Sequence, residues 1–142
     1  YGTIGWLPDL NKWAKTISSF LKPNGQFVFV EFHPVVWMFD DNFDKIDYRY
    51  FNSGAIIETE SGTYADKSAD ISQSYVMWNH GLSEVINNLI INGLEINSFE
   101  EFDYSPYNCF NKTIEFEPKK FRIEPLSNKI PMVYALKATK KS

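Results

Sequence analysis

Phe20-Leu21-Lys22-Pro23-Asn24-Gly25-Gln26-Phe27-Val28-Phe29-Val30-Glu31-Phe32-His33-Pro34 is the stretch that decides the fold. Pro23 biases Lys22 away from the α region, and Asn24-Gly25 supplies a turn that tolerates positive φ. Phe27 to Val30 is then an unbroken run of β-branched and aromatic residues, the pattern of a strand covered on both faces. Upstream, Leu10, Trp13, Ala14, Ile17, Phe20 and Leu21 recur at the spacing of one helical face. Pro8 and Asp9 offer a φ-fixed residue and a carboxylate where a helix begins. The reading is a loop over 1–8, a helix over 9–22 and a strand over 26–33. In open α/β sheets ligands gather beyond the carboxyl ends of strands, which puts Glu31 and His33 where chemistry is expected.

Downstream of Val35 the regularity breaks. Short strands are expected at Tyr48 to Phe51, Ala55 to Glu60 and Ser74 to Trp78, separated by Asn52-Ser53-Gly54 and a polar stretch from Ser61 to Ser72. Some forty residues are too many for a plain connection, so 34–78 reads as an inserted cap. A second amphipathic helix carries Leu82, Val85, Ile86, Leu89 and Ile90 on one face, begins its regular part at Ser83 and stops at Gly93. Leu94 to Phe102 and Pro131 to Thr139 read as strands joined by an aromatic loop through Tyr104, Pro106, Tyr107 and Phe110. Alternating helix and strand predicts an α/β sheet with parallel pairing and a right-handed crossover. The final strand follows its predecessor without a helix, which makes it the antiparallel member. The chain thus divides into 1–33, the cap 34–78, and a helix with two strands over 79–142.

Composition narrows the function. Twelve Phe, eight Tyr and four Trp make 17% of 142 residues, so aromatic rings must do much of the packing. Fourteen basic residues against eighteen acidic ones, a formal charge of −4, argue against a nucleic-acid surface, which needs a basic stripe. The lysines at 137, 140 and 141 read as a solubilising tail. The single cysteine, Cys109, cannot form an internal disulfide or hold zinc alone, which predicts a reducing, cytoplasmic setting. No apolar run approaches the ~18 residues that span a bilayer. Two histidines without a His-x₃-His or Cys/His spacing make no metal motif. The first residue is Tyr1, directly before a glycine-containing loop, and this start reads as a cut in a longer sequence.

Several stretches together resemble the C-terminal half of a class I S-adenosylmethionine-dependent methyltransferase. They are Tyr1-Gly2, Trp6-Leu7-Pro8-Asp9-Leu10, Phe20 to Gly25, and Glu31-Phe32-His33-Pro34. They continue through Ser61-Gly62-Thr63-Tyr64-Ala65-Asp66, Trp78-Asn79-His80 with Leu82-Ser83-Glu84, and Tyr104-Ser105-Pro106-Tyr107. The resemblance implies the C-terminal part of a Rossmann-like sheet with helices on its faces and an antiparallel last strand. Gln26 to His33, Leu94 to Phe102 and Met132 to Thr139 would be its fifth, sixth and seventh strands. The first four, with the glycine-rich cofactor loop and the acidic residue for the ribose, would lie before Tyr1. No Gly-x-Gly-x-Gly occurs in the chain. The cofactor implied is S-adenosylmethionine and the acceptor a small molecule. The isolated chain is expected to be inactive, to bind the cofactor weakly, and to self-associate through the strand edge left open.

On that resemblance Tyr1, Gly2 and Trp6 stand on the cofactor side, and Trp37, Trp78, Asn79, His80 and Tyr104 on the substrate side. Glu31 and His33 are the candidate catalytic pair, with His33 as a general base. Each has a plainer reading. Trp6 could wedge under the first helix, Glu31 be a satisfied buried carboxylate, His33 bond the following loop, and His80 cap or pack. Asp40-Asp41 and Glu100-Glu101 read as solvated surface pairs. A different class of function stays open beside this one: a non-catalytic α+β module whose aromatic cap binds an apolar ligand or a partner protein.

Overall fold

The computed structural model describes residues 2–62, 66 and 68–142. Helix α1 spans Leu10–Phe20, and Asp9 caps it by accepting a hydrogen bond from the Lys12 amide at 3.0 Å. It ends as the sequence predicts. Asn24 takes φ 63°, and at Gly25 a β-carbon would stand 2.8 Å from the Lys22 carbonyl oxygen. Lys140, expected in a free tail, instead donates its ammonium to the carbonyls of Ser18 and Leu21, at 2.6 and 2.9 Å. A cation there complements the negative end of the helix dipole.

Strand β1 (Gln26–Phe32) leads into the hairpin β2 (Ile56–Ser61) and β3 (Ser72–Met77), helix α2 (Leu82–Ile91), and strand β4 (Leu94–Phe102). A second hairpin, β5 (Thr113–Glu117) and β6 (Lys120–Ile123), precedes the final strand β7 (Val133–Lys140). The main sheet has the order β1-β7-β4. Both outer strands run antiparallel to β7, from Gln26 opposite Thr139 to Phe32 opposite Val133, and from Leu94 opposite Lys140 to Phe102 opposite Val133. The parallel pairing expected from the helix–strand alternation is therefore replaced. β1 and β4 do run the same way, but the last strand lies between them.

Alternation along the strands gives the sheet two differently covered faces. Phe27, Phe29, Leu136, Ala138, Ile96 and Phe99 face a core built with Leu10 and Ala14 of α1 and Val85 and Leu89 of α2. Ile96 and Phe99 are three apart, and a bulge between Ile96 and Ser98 turns both inward. On the other face Val30, Phe32, Val133 and Phe102 join Val36, Phe43, Ile123 and Met132. That second cluster covers only the carboxyl end of β1, and Val28 remains 66% exposed. The expectation of a strand covered on both faces thus holds at Phe32 and fails at Val28.

The strand expected at Tyr48 to Phe51 does not form, and the β5–β6 hairpin lies within the stretch expected to be an aromatic loop between the two C-terminal strands. No helix of the described residues is long and apolar enough to cross a membrane.

Candidate functional site

A cavity of about 810 Å³ opens at the carboxyl end of β1. Its wall is made by the 2–6 loop, Glu31 and Phe32, the segment around 36–43, the inner row of the β2–β3 hairpin, the 77–80 turn and the 109–111 loop. A smaller cavity of about 210 Å³ adjoins it and shares Tyr48, Ile56 and Asn79.

Glu31 is 2% exposed and organises the entrance loop. Its Oε2 accepts from the amides of Thr3 at 2.8 Å and Ile4 at 3.3 Å, and its Oε1 accepts from those of Phe32 at 2.8 Å and Gly2. Four backbone donors saturate the carboxylate. The chemistry this leaves it is to hold Gly2 to Ile4 against the end of the strand.

His33 is equally committed. Its Nδ1 accepts from the Val35 amide at 3.2 Å, which puts the ring proton on Nε2, and Nε2 donates to Glu101 at 2.6 Å. Burial pushes the imidazole below its ordinary value of 6.5, with Glu101 pulling the other way. The ring packs edge-on against Tyr134 and is not part of the cavity wall. The general-base role expected of His33 has no free nitrogen to use. Glu101, read as a solvated surface residue, is its partner.

Of the expected substrate side, Trp37, Trp78, Asn79 and His80 line the cavity and Tyr104 does not. Trp37 packs edge-on to Phe32 and Phe110. The Trp78 amide donates to the Gly5 carbonyl at 2.8 Å, tying the hairpin's exit to the entrance loop. His80 Nε2 donates to the Leu7 carbonyl at 2.8 Å, and its Nδ1 lies 3.0 Å from Glu84 Oε1. Tyr104 packs with Phe102 and Phe116 instead. On the expected cofactor side, Gly2 and Trp6 line the cavity, Trp6 being 53% exposed rather than wedged under α1. Tyr1 lies outside the described residues, as do Thr63 to Ala65, which carry part of the resemblance.

The residues that sequence reasoning missed sit on the hairpin. Ile56, Glu58 and Glu60 of β2 share one face with Met77, Tyr75 and Gln73 opposite. The Tyr75 hydroxyl shares its one proton between Glu60 at 2.7 Å and Glu58 at 3.0 Å, and the Tyr48 hydroxyl donates to Glu58. Burial and these two carboxylates hold the Tyr75 phenol far above its ordinary range, so it stays a donor. The period-two pattern Ile56-x-Glu58-x-Glu60 was the available signal. Among the described residues no group of three or more His, Cys, Asp and Glu could hold a metal ion.

No protein-family model matches the sequence, and neither does any curated protein. Solved structures do. A candidate S-adenosylmethionine-dependent methyltransferase from Listeria monocytogenes superposes with a TM-score of 0.58 at 18% identity, covering 99% of this chain and 58% of the other. An S-adenosylmethionine-dependent methyltransferase from Mesorhizobium loti superposes with a TM-score of 0.54 at 18% identity, covering 97% and 58%. The chain has the fold of part of a methyltransferase. It spans well under two thirds of either neighbour's length, and at this identity the likeness speaks to fold alone.

Proposed function

We propose that this chain is the C-terminal, acceptor-side portion of a class I S-adenosylmethionine-dependent methyltransferase, acting on a small molecule. The observation that carries the reading is the correspondence of nearly the whole chain with methyltransferase structures. The order β1-β7-β4, with the last strand antiparallel between its neighbours, and a large cavity at the carboxyl end of β1 support it. In this reading 34–78 is the cap over the cavity.

The lining suits one end of the cofactor and not the other. Trp6 is complementary to a sulfonium, since aromatic faces attract cations by roughly 0.5–2 kcal/mol each. The sequence has no glycine-rich loop for the remainder. When bound, S-adenosylmethionine would supply the transferable methyl group. The work of this chain's residues is then positional: Gly2 and Trp6 border the cofactor, Glu31 fixes their loop, and His33 with Glu101 braces the strand end. Trp37, Trp78, Asn79 and His80 face the acceptor and exclude water. Holding reactants in line is worth ~7–11 kcal/mol of a barrier, so such a site needs no dedicated base.

Titration calorimetry tests this. The 142-residue chain alone is expected to bind S-adenosylmethionine weakly or not at all. The same chain expressed with the coding sequence immediately upstream of Tyr1 is expected to bind it in the micromolar range. No binding by the extended protein would end the proposal. The cavity's formation from this chain alone favours a second reading, a ligand-binding module without catalysis, which predicts ligand binding and no methylated product from the extended protein.

A further inference from the structure

The cavity wall has a sign. Glu31, Asp40, Asp41, Glu58 and Glu60 line it, and among the described lining residues there is no lysine or arginine. Lys112 pairs with Asp44 at 2.5 Å, and Lys45 pairs with Asp47 at 3.3 Å while its charge also reaches Asp40 at the rim. Glu58 and Glu60 are left without a basic partner among the described lining residues. Arg49 borders the smaller adjoining cavity. The phenols of Tyr48 and Tyr75 orient Glu58 and Glu60 without neutralising them, because a neutral donor leaves the carboxylate its charge. Aromatic rings complete the wall, with Trp6 edge-on to Tyr75 at 5.8 Å and Trp37 and Trp78 beyond.

Asn79 adds an independent observation. It is 4% exposed and borders both cavities. Its Nδ2 donates to the carbonyls of Pro34 at 3.2 Å and Arg49 at 3.0 Å. Both partners are acceptors, so the amide can face only one way, and Oδ1 is left as a buried acceptor without a partner. A buried acceptor of that kind calls for a donor.

We propose that the cavity recognises a protonated amine carried on a flat apolar body, with Glu58 and Glu60 as its counter-charges. Aromatic faces and carboxylates both favour an ammonium. A neutral occupant would strip water from carboxylates without replacing it, and an anionic one would be repelled. The inference rests on the proposed function only in naming the occupant as the methyl acceptor. It concerns recognition and includes no transfer step.

The test uses three ligands of one shape: tryptamine, its alcohol analogue tryptophol, and the anion indole-3-propionate. Cys109, the only cysteine, is exposed and lines the same cavity, so its rate of alkylation by iodoacetamide reports occupancy. Tryptamine is expected to protect Cys109 at concentrations about tenfold below tryptophol and to lose that advantage in high salt, while the propionate gives no protection. The Glu58→Gln, Glu60→Gln double variant keeps acceptors for Tyr75 and is expected to lose the preference for the amine while its circular dichroism is unchanged. Equal protection by all three ligands, no protection by tryptamine, or a salt-independent preference in the unaltered protein would overturn the proposal. The assay needs no S-adenosylmethionine. Amine protection with no cofactor binding by the extended protein would sink the methyltransferase reading alone, and cofactor binding without amine preference would sink this one alone.

Discussion

The carboxylate of Glu31 is where one side chain does most to shape the site. Replacing it with glutamine leaves the amide NH₂ facing backbone N–H groups that now have no acceptor. Hydrogen bonds to a charged partner are worth ~1.5–3 kcal/mol, so Glu31→Gln is expected to cost about 3 kcal/mol or more. Urea unfolding measures the loss, and faster hydrogen exchange at the Thr3 and Ile4 amides would place it in the entrance loop. His33 gives a pH dependence whose direction follows from burial. Its folded-state value lies below the unfolded 6.5, so the unfolded chain binds the proton first. The stability it contributes is present above 6.5 and is lost as pH falls from there toward the folded value. Unfolding midpoints measured between neutral and mildly acidic pH should decline less steeply in His33→Asn than in the unaltered protein, and parallel declines would refute the assignment. The positions of Glu31 and His33 at the strand end were legible from the strand's direction alone. Their plainer readings, a satisfied buried carboxylate and a histidine bonded to the following loop, are the ones the structure shows. What the sequence did not reveal is the distant partners, Glu101 and the Gly2 to Ile4 amides, which only the folded chain brings close.

At the level of single elements, sequence patterns served wherever burial is one-sided and local. The helix over 9–22 and the strand over 26–33 rest on periodicity and on the Pro23-Asn24-Gly25 stop, and α1 and β1 follow them to within two residues. The β5–β6 hairpin escaped notice although Ile114, Phe116, Phe121 and Ile123 alternate around a Glu117-Pro118-Lys119-Lys120 turn. Its strands are only five and four residues long and carry charged residues between the apolar ones, so charge obscured the alternation. The expected strand near Tyr48 failed for a different reason: its residues serve distant partners. Tyr50, in that stretch, accepts a hydrogen bond from the Leu82 amide at 3.1 Å and so caps α2 from outside the helix. A β-carbon at Gly81 would stand 2.9 Å from Cε1 of the same ring. Gly81→Ala should therefore displace Tyr50, uncap the helix and destabilise the protein by about 1–3 kcal/mol. The effect should shrink in a Tyr50→Phe background, where no hydroxyl remains to lose, and thermal unfolding of the four proteins closes the cycle.

Across the whole molecule the sheet is lopsided. Among the described residues β1 pairs only with β7, and its other edge and Val28 stay open. Open apolar edges recruit further strands, so light scattering should detect self-association that rises with concentration. Val28→Lys should reduce it, and a monomer at all concentrations would count against the expectation. The sheet's middle strand could not be foreseen by reading outward from each element, because β7 joins two strands that never touch each other. That arrangement bears on biosynthesis. Gln26 meets its partner Thr139 only after roughly a hundred further residues have been made, a separation of the kind that slows folding. At ribosomal speed the wait is on the order of ten seconds. The nascent chain carries first one ribbon and, once β4 is made, two with no zipper between them, so synthesis ended before Val133 would release a polypeptide unable to assemble its own centre.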